Sequence, residues 1–351
     1  MSERSIRARA ARSALRTALL APAPFLRGLT GPVPKSDRGH DLDLSTHALL
    51  RVVLSGREPA ASRGVGFMRN DMDVNGPLAD FERCALHRVE DRYIPGAGHT
   101  LRVRVYEPGP RGPAPRPICV YYHGGGFVLG SLRSHDGVCG RIAKQADCIV
   151  VSVDYRLAPE HRFPAATNDA IAAYRWAVAS ASELGGDPQR IAVAGDSAGG
   201  NLAAVVAWHE RAADPPPRFQ LLVYPVTDWT HATESYERFA KGFLLETETS
   251  KWFRSQYLVD FARDAADPMA SVLVAPCVRG APPAYVVTAG FDPLRDEGER
   301  YARKLEEAGV RVQLHCEESL THGFFSLGGI VEASRRAIDR AIAALASGVR
   351  A

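Results

Sequence analysis

The heptapeptide Gly195-Asp196-Ser197-Ala198-Gly199-Gly200-Asn201 decides the fold of this 351-residue chain. It follows the apolar run Ile191–Ala194, which is typical of a buried strand, and it opens a run of helix-favouring residues. A sharp turn from a strand into a helix needs small residues on both sides, and the glycines around the serine supply them. We therefore predict that Ser197 sits on this turn, with its hydroxyl raised above a sheet at the N-terminus of a helix.

A second glycine-rich element follows another strand-like run. Three glycines, Gly124–Gly126, stand between His123 and Phe127, directly after the apolar run Pro117–Tyr122. Glycines at a strand end leave backbone N–H groups bare, and such donors stabilise the oxyanion that forms during acyl transfer. A phosphate-binding loop would need a Lys-Ser or Lys-Thr pair or the G-x-G-x-x-G spacing, and neither is present. The element is therefore interpreted as an oxyanion hole.

A serine nucleophile needs a base, and the chain offers three histidines after Ser197. His231 lies in a polar stretch that resembles a loop, and His315 ends an alternating run that predicts a strand. His322 follows that strand in a loop with Gly323, where a catalytic imidazole would reach the carboxyl edge of the sheet. Position favours His322 and leaves the other two histidines as alternatives.

The acid that orients the base should follow the preceding strand, since nucleophile, acid and base come in that order along such chains. The run Ala284–Gly290 predicts this strand, and Asp292 stands at its end. Pro293 suits the first turn of the next helix, where Asp296 would offset the helix dipole. Position favours Asp292 as the acid. The alternatives are Asp296 as the acid, or a role for Asp292 as a helix cap only.

Together these motifs resemble the hormone-sensitive-lipase-like branch of the α/β-hydrolases, also called the bacterial family IV esterases. The resemblance extends from about residue 90 to the end of the chain, whereas residues 1–90 match only loosely, as a helical cap. The combination of motifs is specific to that branch. The matching segments are His123–Phe127, Gly195–Asn201, Asp292–Gly298, His322–Phe324, Asp154–Glu160 and Phe163–Ala166.

The resemblance implies a serine carboxylesterase that hydrolyses short- to medium-chain acyl esters through an acyl-enzyme, with no cofactor and no metal ion. The same triad would serve an amidase, a deacetylase or a lactonase. Non-catalytic receptors related to this branch have lost the triad histidine, which is present here. The residues expected at the site are the triad Ser197, Asp292 and His322, the oxyanion-hole donors Gly125, Gly126 and Ala198, and Phe127 as a substrate contact.

Neighbouring polar residues are expected to have structural roles. His123 is expected to brace the glycine loop rather than ionise, and Asp196 to bond local backbone or a neighbouring side chain. Arg156 and Glu160 stand close enough along the chain to form an ion pair that fixes their loop. None of these residues is expected to take part in the chemistry.

Strand-like and helix-like runs alternate through most of the chain, which predicts a mostly parallel sheet covered by helices on both faces. With the resemblance, this gives an α/β-hydrolase fold with an eight-stranded sheet and a helical cap. The expected parts are an N-terminal cap region at 1–90, core at 91–227, a cap insertion at 228–275 and core at 276–351. Strands are predicted near residues 101–107, 117–122, 148–153, 190–195, 219–224, 284–289 and 310–315, and helices near 165–182, 198–211 and 330–346.

Composition narrows the classes of partner. A formal net charge of +3 gives no reason to expect nucleic acid. The sequence has no C-x-x-C or H-E-x-x-H pair that would indicate a metal site, and no apolar run that approaches the ~18 residues of a membrane span. We expect a cytoplasmic protein that acts on a small-molecule ester, and a homodimer is compatible with the sequence.

The basic segment 1–40 is open to three interpretations. It could form an amphipathic helix that contacts a membrane, although a cap helix with a solvated basic face is the simpler reading. A signal peptide is disfavoured because Pro22 and Pro24 interrupt the apolar stretch that it would need. We expect this segment to cover the mouth of the active site.

Overall fold

A computed structural model describes residues 3–53, 56, 58–230 and 232–351 of the chain. His231, one of the three candidate bases, lies outside the described residues, and so do the side chains before residue 10. One sheet of eight strands forms the centre of the molecule. The strands are β1 Arg88–Pro95, β2 Thr100–Glu107, β3 Arg116–Tyr122, β4 Ile149–Asp154, β5 Gly186–Asp196, β6 Phe219–Val223, β7 Ala284–Phe291 and β8 Val312–Thr321.

The strands lie in the order β1-β2-β4-β3-β5-β6-β7-β8, and β2 runs in the direction opposite to the other seven. Strands β3, β6 and β7 are buried along almost their whole length. Parallel strands become buried in this way when helices cover both faces of the sheet. The expected α/β fold with a mostly parallel, eight-stranded sheet is confirmed.

The helices Ala165–Ala179, Ala198–His209 and Arg295–Glu307 pack on one face of this sheet, and the helices Asp136–Ala146 and Glu332–Gly348 pack on the other. Further helices precede the sheet or lie in the connection between β6 and β7. The α-helices of the described residues are α1 Glu3–Leu19, α2 Ala23–Thr30, α3 Leu44–Ala48, α4 Ala60–Arg63, α5 Val65–Ala79, α6 Asp136–Ala146, α7 Ala165–Ala179, α8 Ala181–Leu184, α9 Ala198–His209, α10 Glu234–Arg238, α11 Thr247–Tyr257, α12 Phe261–Ala265, α13 Arg295–Glu307 and α14 Glu332–Gly348.

Strands β2–β8 lie where the sequence pattern predicts them, whereas no pattern in the sequence predicts β1. It lies at the edge of the sheet, where Val89 and Tyr93 are exposed and Ile94 is the one buried residue of the strand. An edge strand with charged residues on both faces lacks the apolar alternation by which a half-buried strand is recognised.

The expected ion pair between Arg156 and Glu160 is not formed. The guanidinium of Arg156 donates to both carboxylate oxygens of the fully buried Asp169, at 2.8 and 2.9 Å. Glu160 instead accepts from Arg69 of α5, at 2.7 and 2.9 Å, and these hydrogen bonds lower the pKa of Glu160 to about 2. The prediction is wrong because both partners come from helices whose packing the local sequence does not reveal.

We expect Arg156→Ala to destabilise the protein far more than Glu160→Ala. Removing Arg156 leaves the buried Asp169 carboxylate without its bidentate partner, which costs on the order of 3 kcal/mol. The half-exposed pair of Arg69 and Glu160 contributes about 1 kcal/mol or less. Urea denaturation of both variants measures the two losses in the free energy of unfolding, and equal losses would contradict this assignment of partners.

Candidate active site

Ser197 occupies the turn between β5 and α9 in a backbone conformation that side-chain-bearing residues rarely adopt. Its φ is +55° and its ψ is −118°, a conformation that costs on the order of 1–3 kcal/mol. The turn is tight because a Cβ at Gly195 would overlap the backbone of Gly199, and a Cβ at Gly199 would overlap the backbone of Tyr122. The predicted strand–turn–helix arrangement is present, with Ser197 immediately before the first residue of α9.

The structure brings together the three residues expected to form the triad. Nε2 of His322 lies 2.9 Å from Oγ of Ser197, and Nδ1 of His322 lies 2.8 Å from Oδ2 of Asp292. Asp292 is fully buried, and its other carboxylate oxygen accepts from the N–H of Leu294 at 2.8 Å. Because an ionised Asp292 only accepts, Nδ1 of His322 carries the proton and Nε2 can accept the proton of Ser197.

His315 and Asp296, the alternative base and acid that lie within the described part of the chain, are bonded to other residues. His315 is a residue of β8 with a half-exposed side chain, 3.3 Å from Glu317. Asp296 belongs to α13, where it pairs with Arg295 at 3.0 Å and accepts from the N–H of Ser235 at 2.9 Å. Within the described part of the chain, neither residue is bonded to the serine or to the histidine of the site.

The glycine loop, Gly124–Gly126, lies beside Ser197, and both line one cavity of the molecule, which is described below. Gly125 and Gly126 have φ values of +123° and +62°, a region that residues with a Cβ rarely enter. Among the described residues no acceptor is bonded to the N–H of either glycine, so both donors can serve a ligand. Ala198 is the first residue of α9, where a backbone N–H has no acceptor within the helix. These three N–H groups are the candidate oxyanion donors.

Phe127, expected to contact the substrate, does not line the cavity. Its ring is fully buried and stacks on Tyr257 of α11, with 3.9 Å between the ring centroids. The ring therefore anchors the glycine loop to α11. Phe253 of the same helix lines the cavity instead, so close to the loop that a Cβ at Gly126 would overlap its ring. The sequence places Phe127 next to the loop but does not show which way its side chain points.

His123 and Asp196 hold the glycine loop. Burial lowers the pKa of His123 to about 4, so its ring is neutral at pH 7, with Nδ1 2.8 Å from the carbonyl oxygen of Gly124. Oδ1 of Asp196 accepts from the N–H of Gly124 at 3.0 Å and from the hydroxyl of Tyr121 at 2.7 Å. These contacts agree with the structural roles expected of both residues.

A cavity of about 920 Å³ opens onto Ser197 and His322, a size typical of small-molecule sites. Its remaining wall comes mainly from the helical residues before β1 and from residues 242–253, between β6 and α11 and in α11 itself. The sequence predicts a cap from segments 1–90 and 228–275, but no motif in them shows which side chains line a cavity. Apolar lining residues include Leu15, Leu49, Met68, Leu244, Leu245 and Phe253.

Comparison with known proteins identifies the class of enzyme to which this chain belongs. The chain matches the α/β-hydrolase fold family over residues 119–326. It is 49% identical over 250 residues to the carboxylic ester hydrolase LipN of Mycobacterium tuberculosis, an alignment that covers 69% of this chain and 66% of LipN. It is 44% identical over 252 residues to the ethyl acetate hydrolase of Pseudomonas putida, with 71% of this chain and 79% of that protein covered.

A solved structure agrees with these relatives. The crystal structure of a thermostable esterase from Pseudomonas putida superposes with a TM-score of 0.83 at 35% identity, over 88% of this chain and 98% of that one. The chain belongs to the α/β-hydrolase fold family. Within that family it is a carboxylic ester hydrolase of the hormone-sensitive-lipase-like branch, as the motifs implied.

No helix within the described ranges is both long and apolar enough to cross a bilayer. In the same part of the chain, no group of three or more His, Cys, Asp or Glu side chains is arranged to hold a metal ion.

We expect Gly126→Ala to lower kcat by roughly ten-fold or more, because the added methyl group meets the Phe253 ring and displaces one oxyanion donor. Adding Phe253→Ala should restore part of the activity, since the clash is removed while the strained φ remains. Steady-state hydrolysis of p-nitrophenyl butyrate measures both effects.

Gly98→Ala is the matched control for this prediction. Gly98 has a φ of +81°, but nothing lies within 4 Å of an added Cβ, so it shares the strain of Gly126 without the clash. We expect its kcat to stay within about twofold of the wild type. A Gly126→Ala protein with unchanged kcat, or a double variant with no recovery, would show that Phe253 does not set the position of the loop.

Proposed function

We propose that this carboxylic ester hydrolase cleaves short- to medium-chain acyl esters through a covalent acyl-enzyme on Ser197. The observation that carries the proposal is the continuous hydrogen-bonded chain from Ser197 through His322 to Asp292, with steps of 2.9 and 2.8 Å, at the wall of a largely apolar cavity. The ethyl acetate hydrolase among the similar proteins supports an ester with a short acyl group as substrate.

Acylation begins when Nε2 of His322 removes the hydroxyl proton of Ser197 as Oγ attacks the ester carbonyl carbon. The carbonyl π electrons move to the oxygen, which becomes an oxyanion. Asp292 accepts from Nδ1 and stabilises the imidazolium that forms. His322 then protonates the leaving alkoxide, the C–O bond breaks and the alcohol departs. Water repeats the same steps on the acyl-enzyme and releases the acid.

Oxyanion stabilisation supplies a large part of the rate. The N–H groups of Gly125, Gly126 and Ala198 are fixed by the fold before the substrate binds, so no reorganisation is needed as negative charge develops. Such donors act more strongly in a cavity with an apolar wall, where little water screens them. One donor of this kind is worth about 100- to 1,000-fold in rate.

The two helical segments that line the cavity are proposed to form a cap over a hydrolase core. Residues 1–90 would supply one part of the cap and residues 228–275 the other, with the core at 91–227 and 276–351. Contacts between α4 and α11, which belong to different segments, support this division. The apolar residues that both segments contribute would bind the acyl or alcohol part of the ester.

We expect Ser197→Ala to reduce hydrolysis of p-nitrophenyl esters, from acetate to palmitate, by about a million-fold in kcat. Asp292→Asn should cost about 10,000-fold, because it favours the wrong tautomer of His322. Asp296→Asn is the control on the neighbouring helix and should stay within roughly threefold of the wild type. Strong activity in Asp292→Asn together with its loss in Asp296→Asn would reverse the assignment of the acid.

We expect Leu15→Trp to narrow the acyl-chain range, because Leu15 lines the cavity from α1. The ratio of kcat/KM for p-nitrophenyl octanoate to that for the acetate should fall roughly ten-fold, the order that one misfit group costs in an apolar pocket. Leu20→Trp is the matched control, since Leu20 directly follows α1 and its side chain is 55% exposed. If both variants keep the wild-type ratio, α1 does not cover the substrate.

A further inference from the structure

A buried histidine outside the triad faces the residue that precedes the nucleophile. His135, immediately before α6, is almost fully buried, with Nε2 3.4 Å from Oδ1 of Asp196. On its other side Nδ1 lies 2.8 Å from Oγ of Ser134. His135 does not line the catalytic cavity, so it acts on the active site indirectly, and its ionic contact on that side is with Asp196.

Asp196 joins the two halves of the catalytic machinery. It is adjacent to Ser197, and its Oδ1 accepts from the N–H of Gly124, the first residue of the glycine loop. Asp196 is buried, and an ionised carboxylate without a counter-charge is costly in such surroundings. Among the described residues, the imidazoles of His123 and His135 act on Asp196, and burial keeps the ring of His123 neutral. His135 is therefore the group that can supply the counter-charge.

The hydrogen bonds around His135 indicate its protonation. Oγ of Ser134 has one proton, and the carbonyl oxygen of Ser131 lies 3.0 Å away in position to accept it. If Ser134 donates there, it accepts from Nδ1 of His135, and that nitrogen carries a proton. Nε2 faces the Asp196 carboxylate, so a lone pair on Nε2 would repel it. Only the imidazolium, with a proton on both nitrogens, satisfies all three contacts together.

We propose that His135 is a buried imidazolium and a positioning residue, which holds the glycine loop against the nucleophile through Asp196. The carboxylate, fixed by this charge, keeps the N–H of Gly124 and so the donors of Gly125 and Gly126 in register with Ser197. His135 touches no substrate. It contributes to kcat through the geometry of the hole and not through proton transfer.

The electrostatic surroundings agree with a charged ring. Burial is the largest single influence on the pKa of His135 and would lower it, but the charge of Asp196, its contact with the ring and the charges of further carboxylates together outweigh burial, so the net shift is upward. Asp80, after α5, and Asp73, on α5, act in the same direction. On the side of β3, the neighbours are Tyr121 and the neutral His123. Because the pKa of His135 is raised, its interaction with Asp196 is fully present below the ordinary histidine pKa of about 6.5 and is lost as pH rises through the raised pKa.

The test compares His135→Gln with His135→Gln/Asp196→Asn in ester hydrolysis, and so it rests on the proposed function. We expect His135→Gln to lower kcat roughly ten-fold or more, with KM within about twofold. The double variant should recover most of the loss, because an asparagine can still accept from Gly124 and Tyr121 but needs no counter-charge. His209→Gln, on the outer end of α9 and paired with Glu210, is the control and should match the wild type.

Two further readouts separate a positioning role from a structural one. The part of the alkaline limb of the kcat–pH profile that reflects deprotonation of His135 should disappear in His135→Gln, because glutamine has no proton to lose, while the thermal midpoint of the double variant returns toward the wild type. In wild-type protein labelled with 15N-histidine, both ring nitrogens of His135 should be protonated at pH 7. This spectrum is independent of substrate and of whether any variant folds.

Three results would overturn the inference: a neutral His135 ring at pH 7, an unchanged kcat in His135→Gln, or no recovery in the double variant. Absence of ester turnover in the wild type, with a protonated His135 in the spectrum, would instead count against the proposed substrate class and leave the charge assignment standing.

Discussion

The close approach of the Ser197 turn to the end of β3 is the constraint on which the active site depends. Gly199 has no room for a Cβ against the backbone of Tyr122, and Gly195 has none against Gly199. Strands β3 and β5 are parallel neighbours with Tyr122 opposite Gly195, so the glycine loop that leaves β3 begins beside the turn that leaves β5. One backbone contact therefore brings Ser197, the proposed nucleophile, and the proposed oxyanion donors together, and any larger residue at either glycine would separate them.

Sheet topology then brings in the acid and the base. The parallel strands β5, β6, β7 and β8 lie side by side, so Ser197 after β5, Asp292 after β7 and His322 after β8 all reach the same edge. His322 and Ser197 are 125 positions apart in sequence, yet 2.9 Å apart in space. Among the described residues, the fully buried Asp292 is bonded to Nδ1 of His322 and to the N–H of Leu294, and this pairing fixes the imidazole orientation that the proposed proton transfer needs.

The sequence predicts the parts of the molecule that depend on local chemistry or on chain order. A strained turn requires glycines around Ser197, and in this fold the acid and the base follow successive strands. The sequence therefore predicts seven strands and the three residues of the proposed triad, which the structure places within hydrogen-bond distance of one another. Features set by tertiary partners could not. The edge strand β1 lacks apolar alternation, Arg156 pairs with a residue of α7, and the ring of Phe127 turns into the core. The cavity wall comes largely from helical segments whose side-chain directions depend on tertiary packing, so no local pattern shows which of their residues line it.

We propose that Ser197 is the nucleophile of this hydrolase, a claim that covalent labelling can test. The most direct measurement is intact-protein and peptide mass spectrometry after reaction with diethyl p-nitrophenyl phosphate, which phosphorylates an activated serine and leaves a stable adduct. We expect one diethylphosphoryl group per chain, on the peptide that contains Ser197, and activity that falls in proportion to labelling. Labelling of a different residue, or full activity after stoichiometric labelling of Ser197, would contradict the claim.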